Sequence, residues 1–81
     1  MMTPRERDLL TALATYDSEF KSVTMLQYHH PRLKQYTARQ LSGSATRLVR
    51  ADLAIRTVIN PERDVKYKIT GKGRKFLAEA G

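Results

Sequence analysis

The 81-residue chain contains no cysteine, which excludes disulfides and any cysteine-bearing zinc site as supports for so small a domain. Packing must hold it instead, helped by dimerisation if a partner copy is available. No apolar run approaches the roughly 20 residues that cross a bilayer. Met1-Met2-Thr3-Pro4 leads directly into charged residues, without the pattern of a signal peptide. A cytoplasmic protein with no membrane partner is therefore expected, nucleoid-associated if it binds DNA. Aromatic residues are only 7% of the chain, and no aromatic pair of the base-stacking kind is present, which argues against single-strand recognition. Histidines number two, His29 and His30. Neighbours on a helix point about 100° apart, and no acidic residue stands at ligand spacing beside them, so no metal site is expected. Catalysis is not expected either. Ser42, Ser44 and the histidines form no nucleophile–base spacing, Gly71-x-Gly73 lacks the remainder of a phosphate loop, and Glu62 and Asp64 read as solubilising charge.

Acidic residues are also scarce, 8 against 15 lysines and arginines, for a net charge of +7. The excess is unevenly spread. Residues 1–31 hold three basic and four acidic side chains, whereas residues 32–75 hold twelve basic and three acidic, a balance of +9. Such a concentrated cationic region suits a polyanionic partner, although a solvated basic surface would look the same by charge alone.

A single domain spanning residues 1–81 is expected. Thr3, Pro4 and Glu6 form a T-x-x-E start signal for a helix over about 4–16. Leu9, Leu13, Tyr16 and Phe20 recur at helical spacing, with Leu10 and Ala12 widening the stripe. A short second helix begins near Ser22 or Thr24 and ends before Pro31, with Val23, Met25 and Leu26 as its buried side. From Thr37 to Ala51 the pattern is helical again. Ala38, Leu41, Ala45, Leu48 and Val49 share one face, and Arg39, Gln40, Gly43, Thr46, Arg47 and Arg50 share the other. Arginine and glutamine are the side chains that bond bidentately to guanine and adenine edges in a major groove.

Gly43 admits two readings. A mid-helix glycine costs about 1 kcal/mol relative to alanine, and here its missing side chain would let DNA approach the helix backbone. Alternatively the helix breaks there, leaving Ser44 to cap a short reading helix over 45–51. The unbroken helix is favoured, because the broken one leaves about two turns to read DNA and a two-residue connection.

Beyond Asp52-Leu53 the period becomes two. Ile55 to Ile59 is rich in β-branched residues, and Val65, Tyr67 and Ile69 alternate with Lys66 and Lys68. Asn60-Pro61 opens a turn with Glu62-Arg63-Asp64 at its tip. Thr70 is placed to cap a last helix whose Phe76, Leu77 and Ala80 turn inward.

Arg47-Leu48-Val49-Arg50-Ala51-Asp52-Leu53-Ala54-Ile55-Arg56 and Tyr67-Lys68-Ile69-Thr70-Gly71-Lys72-Gly73-Arg74-Lys75-Phe76-Leu77 resemble the winged helix-turn-helix superfamily, MarR- and PadR-like regulators in particular. Those families close on a Y-x-L-T-x-x-G-r-x-x-L pattern, matched here with Ile69 for leucine. Asp52 stands where glycine is usual, and aspartate tolerates the left-handed conformation better than most residues. The resemblance covers residues 22–77. It implies an α+β, mostly α fold of three helices, a two-stranded β-wing and a short C-terminal helix. It also implies a sequence-specific double-stranded-DNA-binding regulator or repressor. By position, Arg39, Gln40, Gly43, Thr46, Arg47 and Arg50 would enter the major groove. Arg56, Arg63, Lys66 and Lys68 would hold the backbone or minor groove. Arg32, Lys34 and Thr37 are candidate phosphate contacts, and Lys72, Arg74 and Lys75 weaker ones. No cofactor and no small-molecule effector is implied, and a homodimer is open. The competing readings are a protein-interaction adaptor and a structured-RNA-binding module.

Overall fold

The computed structural model describes residues 2–58 and 65–80. The expected tip at 60–64, with Arg63, lies outside the described residues, as does the orientation of the Ala80 side chain. Described elements run α1 (Pro4–Thr15), β1 (Lys21–Ser22), α2 (Val23–His29), a 3-10 turn (Pro31–Gln35), α3 (Ala38–Arg50), β2 (Ala54–Val58), β3 (Val65–Ile69) and α4 (Gly71–Ala80). The result is a mostly helical α+β fold whose antiparallel sheet has the strand order β1-β3-β2.

Each helix starts on a hydroxyl. Thr3 Oγ1 accepts from the Glu6 amide at 3.2 Å, and Ser22 Oγ accepts from the Met25 amide at 3.1 Å. Thr37 Oγ1 accepts from the Gln40 amide while Gln40 Oε1 accepts from the Thr37 amide, a complete capping box. Thr70 Oγ1 accepts from the Gly73 amide at 3.0 Å. A hydroxyl cap of this kind contributes about 1 kcal/mol.

The helix from 38 to 50 is unbroken through Gly43. It ends by reversing its backbone. Asp52 adopts φ 63°, its amide donates to Val49 O at 3.0 Å, and the Leu53 amide donates to Leu48 O at 2.9 Å. This is a Schellman closure with aspartate in the usual glycine position, sealed by the buried pair Leu48 and Leu53. It turns the chain directly into β2.

Leucines dominate the core. Leu9, Leu10 and Leu13 of α1, Leu26 of α2, Leu33 of the 3-10 turn, and Leu41 and Leu48 of α3 are all fully buried. Tyr67 and Ile69 seal it from β3. Gly73 is a packing requirement, since a Cβ there would collide with the Leu53 carbonyl and lie 2.7 Å from Ile69 Cγ1.

Several expectations need correction. The sheet has a third strand, β1, pairing Lys21 with Tyr67 and Ser22 with Lys66; two residues are too few to leave an alternation signal. Pro31–Gln35 forms a 3-10 turn rather than a plain connection. Helix α1 stops at Thr15, so Phe20 is not on its stripe. Met25 is 45% and Phe76 37% exposed, although both were expected inside. Ala38 is exposed, Val49 only half-buried, and Ser44 takes a core-side place on α3. Ala38 and Val49 lie at the margin of the α3 stripe, whose centre is filled by Leu41 and Leu48, whereas Met25 points away from the buried side of α2.

Candidate nucleic-acid interface

Leu41, Ser44, Ala45 and Leu48 are the buried side of α3. At 100° per residue the opposite direction falls among Arg39, Gly43, Thr46 and Arg50. Arg39, Gly43 and Arg50 are exposed, and Thr46 is half-buried. A Cβ added at Gly43 would meet nothing within 4 Å. No described side chain forms a hydrogen bond or ion pair with Arg39 or Arg50, which leaves two guanidiniums about three helical turns apart open to solvent. The helix carries no acidic residue.

Other predicted groove residues already have partners. Arg47 leans toward α1, with Nη1 3.4 Å from Glu6 Oε1. Gln40 has its amide oxygen committed to the capping box. Thr46 donates its hydroxyl to Ser42 O at 3.0 Å, and Thr37, expected as a phosphate contact, serves as the N-cap. Thr37 and Gln40 were expected to face a ligand; the structure gives both of them local work in starting α3.

Arg5 and Ser44 position the helix. Arg5 donates from Nε to Ser44 Oγ at 3.0 Å, which satisfies a hydroxyl only 3% exposed. This tie across thirty-nine positions of sequence left no signal in residue type or spacing. Below it, the Tyr36 hydroxyl donates to Asp8 Oδ2 at 3.2 Å. Burial, then that hydrogen bond, raise the Tyr36 phenol above its ordinary value.

On the other side of α3 lies a cleft lined by Ser22, Thr24, Ala38, Ser42, Val65 and Tyr67. It separates the first turns of α2 and α3 from β3. Thr24 and Ser42, which sequence reasoning passed over, supply hydroxyls there; such residues look the same on any solvated surface.

Register divides the predicted strand cations. Arg56 pairs with Tyr67, and Ile55 and Thr57 pair with Lys68 and Lys66. Directly opposed residues share a sheet face. Arg56 therefore stands on the Tyr67 face, toward the helices and the cleft, while Lys66 and Lys68 stand on the outer face. Lys68 Nζ sits 5.9 Å from the Phe20 ring centroid. Lys66 borders a hollow with Glu19, Phe20 and Met25. The outer strand cations are thus brought together with Phe20, not with Arg39 and Arg50.

The remaining cations scatter. Arg32 lies 3.8 Å from Asp8. Lys34 borders a hollow with Thr24, Gln27 and Tyr28. Arg74 pairs with Asp17 beyond the end of α1, and Lys72 and Lys75 are exposed on α4. His29 is exposed and His30 half-buried. Among the described residues no group of three or more His, Cys, Asp or Glu is placed to hold a metal ion. No described helix is long and apolar enough to cross a membrane. Comparison with known proteins finds no matching family model, no matching curated protein and no matching solved structure.

Proposed function

We propose that the chain is a duplex-DNA-binding protein of winged helix-turn-helix type that acts as a small transcriptional regulator, presenting the Arg39–Gly43–Arg50 face of α3 to the major groove. One observation carries the reading: two exposed, unpartnered arginines flank a bare glycine on a helix that is continuous and free of carboxylates. Arg39 and Arg50 stand about 16 Å apart along one face of a helix whose diameter, about 10–12 Å, fits a major groove about 12 Å wide. Arg56 on the cleft side of the sheet supplies a backbone contact. Lys66 and Lys68, on the outer face, add long-range attraction. Thr24 and Ser42 offer hydroxyls for a phosphate at the cleft. Regulation would be steric, by occupying a promoter or recruiting polymerase.

The discriminating experiment compares binding to duplex DNA, duplex RNA and single strands at two salt concentrations. The reading requires preference for duplex DNA and affinity that falls steeply with salt, since each neutralised phosphate releases counterions. Equal affinity for duplex RNA would favour a shape-reading RNA module. Failure to bind any duplex would remove the nucleic-acid reading altogether.

A further inference from the structure

Met25, Tyr28 and His29, on the outer face of α2, have no function in the core or in the proposed duplex interface. Val23 and Leu26 are its buried side, and Thr24, Met25, Tyr28 and His29 point the other way. Tyr28 is 75% exposed, the most exposed of the large apolar side chains described. Single exposed apolar residues are ordinary on a protein surface. These are not single. Met25, Tyr28 and His29 line a shallow hollow with an almost wholly apolar surface. Met25 also borders the neighbouring hollow that contains Phe20.

The rings of this face lie against one another. Tyr28 meets His29 edge-on, with centroids 5.2 Å apart, and His29 lies 5.8 Å from Tyr16. The Tyr16 hydroxyl donates to His29 O at 3.1 Å.

The surrounding charge identifies the partner. Lys34 borders the patch on one side, and Lys21 and Lys66 on the other, with Lys68 over Phe20. The carboxylate bordering these hollows is Glu19, held by Lys21 at 2.7 Å. We infer that this face docks an acidic protein segment whose large apolar side chain enters the Met25–Tyr28 hollow while its carboxylates meet the flanking lysines. A second copy would bring the same lysines against one another, and like charges at a contact oppose association. A nucleic-acid base would place polar edges against the apolar lining, where they would go unpaired. Met25 and Tyr28, the anchor residues, take no part in the proposed duplex interface, so peptide binding and duplex binding can fail separately, although Lys66 and Lys68 serve both.

Selection of random 12-residue peptides displayed against the full chain tests it. Enriched peptides should be acidic with one or two large apolar residues. Their affinity should fall about tenfold or more in Tyr28→Ala, as expected for an aromatic anchor, and also in Met25→Ser and Lys66→Glu. Tyr28 and Met25 are exposed, so circular dichroism should show those two variants folded, and Tyr28→Ala should bind duplex DNA as the parent does. Four results would overturn the inference: no enrichment; enrichment of basic or neutral peptides; peptide affinity unchanged in folded Tyr28→Ala; or a concentration-dependent dimer in sedimentation that Tyr28→Ala abolishes, which would make the face a self-interface. Loss of duplex affinity in Tyr28→Ala with peptide affinity retained would assign the face to DNA instead.

Discussion

Gly73 rests its bare α-carbon against the carbonyl of Leu53, so the start of α4 is locked onto the turn that ends α3. Thr70 reinforces the lock, donating its hydroxyl to Asp52 O at 2.7 Å while capping α4. Gly73→Ala should therefore destabilise the protein although alanine is the better helix former. Overpacking of this kind costs about 1–3 kcal/mol. Chemical denaturation checks it, and an unchanged or raised midpoint would show that α4 can shift at no cost.

Gly43→Ala should act in the opposite direction on stability. The site is open, so the helix should gain about 1 kcal/mol, equivalent to a rise of roughly 4–8 °C in Tm for a domain of this size. Under the proposed function the same substitution weakens duplex binding, and Gly43→Leu weakens it further. Thermal unfolding and a DNA titration on the same samples separate the two effects. A gain in both would place Gly43 away from the DNA.

Arg39→Ala and Arg50→Ala should each cost about 1–3 kcal/mol at a preferred DNA sequence if they reach bases. Arg47→Ala should cost less, because Arg47 is drawn toward Glu6. Titrations on preferred and scrambled duplexes provide the test. Equal losses on both sequences would reassign Arg39 and Arg50 to phosphates, and a larger loss for Arg47 would mean that its exposed ion pair opens readily.

Tyr36 gives a pH signature. Burial and the Asp8 hydrogen bond raise the phenol above its ordinary 10.0, so the folded state holds this proton more tightly than the unfolded state. The contribution is fully present below the ordinary value and is lost as pH rises through the higher folded-state value. Denaturation followed from below the ordinary phenol value upward should show a steeper loss in the parent than in Tyr36→Phe. Identical slopes would mean that the Asp8 contact adds nothing.

The sequence was most legible where one pattern had one physical solution. Thr3-Pro4-Arg5-Glu6 and the leucine stripe each describe a local arrangement, and α1 follows it. Asp52 was readable because few residues other than glycine tolerate its backbone conformation. Leucines at the centre of a stripe were placed correctly, and residues at its edge were not. Met25, Ala38 and Phe76 share the apolar character of core residues, but whether an edge position is covered depends on neighbours that arrive from elsewhere in the chain. The candidate interface shows the same division. Arg39, Gly43 and Arg50 could be assigned to one face from periodicity alone. That Arg5 braces Ser44, and that Arg56 and Lys66 stand on opposite sheet faces, depends on pairing and tertiary approach, which composition and spacing do not encode; the Thr37-x-x-Gln40 capping box is local, and assigning Gln40 to the groove overlooked it. The two-residue β1 was beyond any periodic signal, yet its pairing with β3 brings Lys66 and Ser22 to the same outer face.

Under the proposed function, α3 reads duplex DNA through Arg39 and Arg50. Selection of bound sequences from a pool of random duplexes, carried out in parallel with the parent and Arg39→Ala/Arg50→Ala, tests it most directly. The account predicts a defined motif for the parent and loss of information at particular base positions in the double variant. Recovery of the same motif by both proteins, or no enrichment by either, would contradict it.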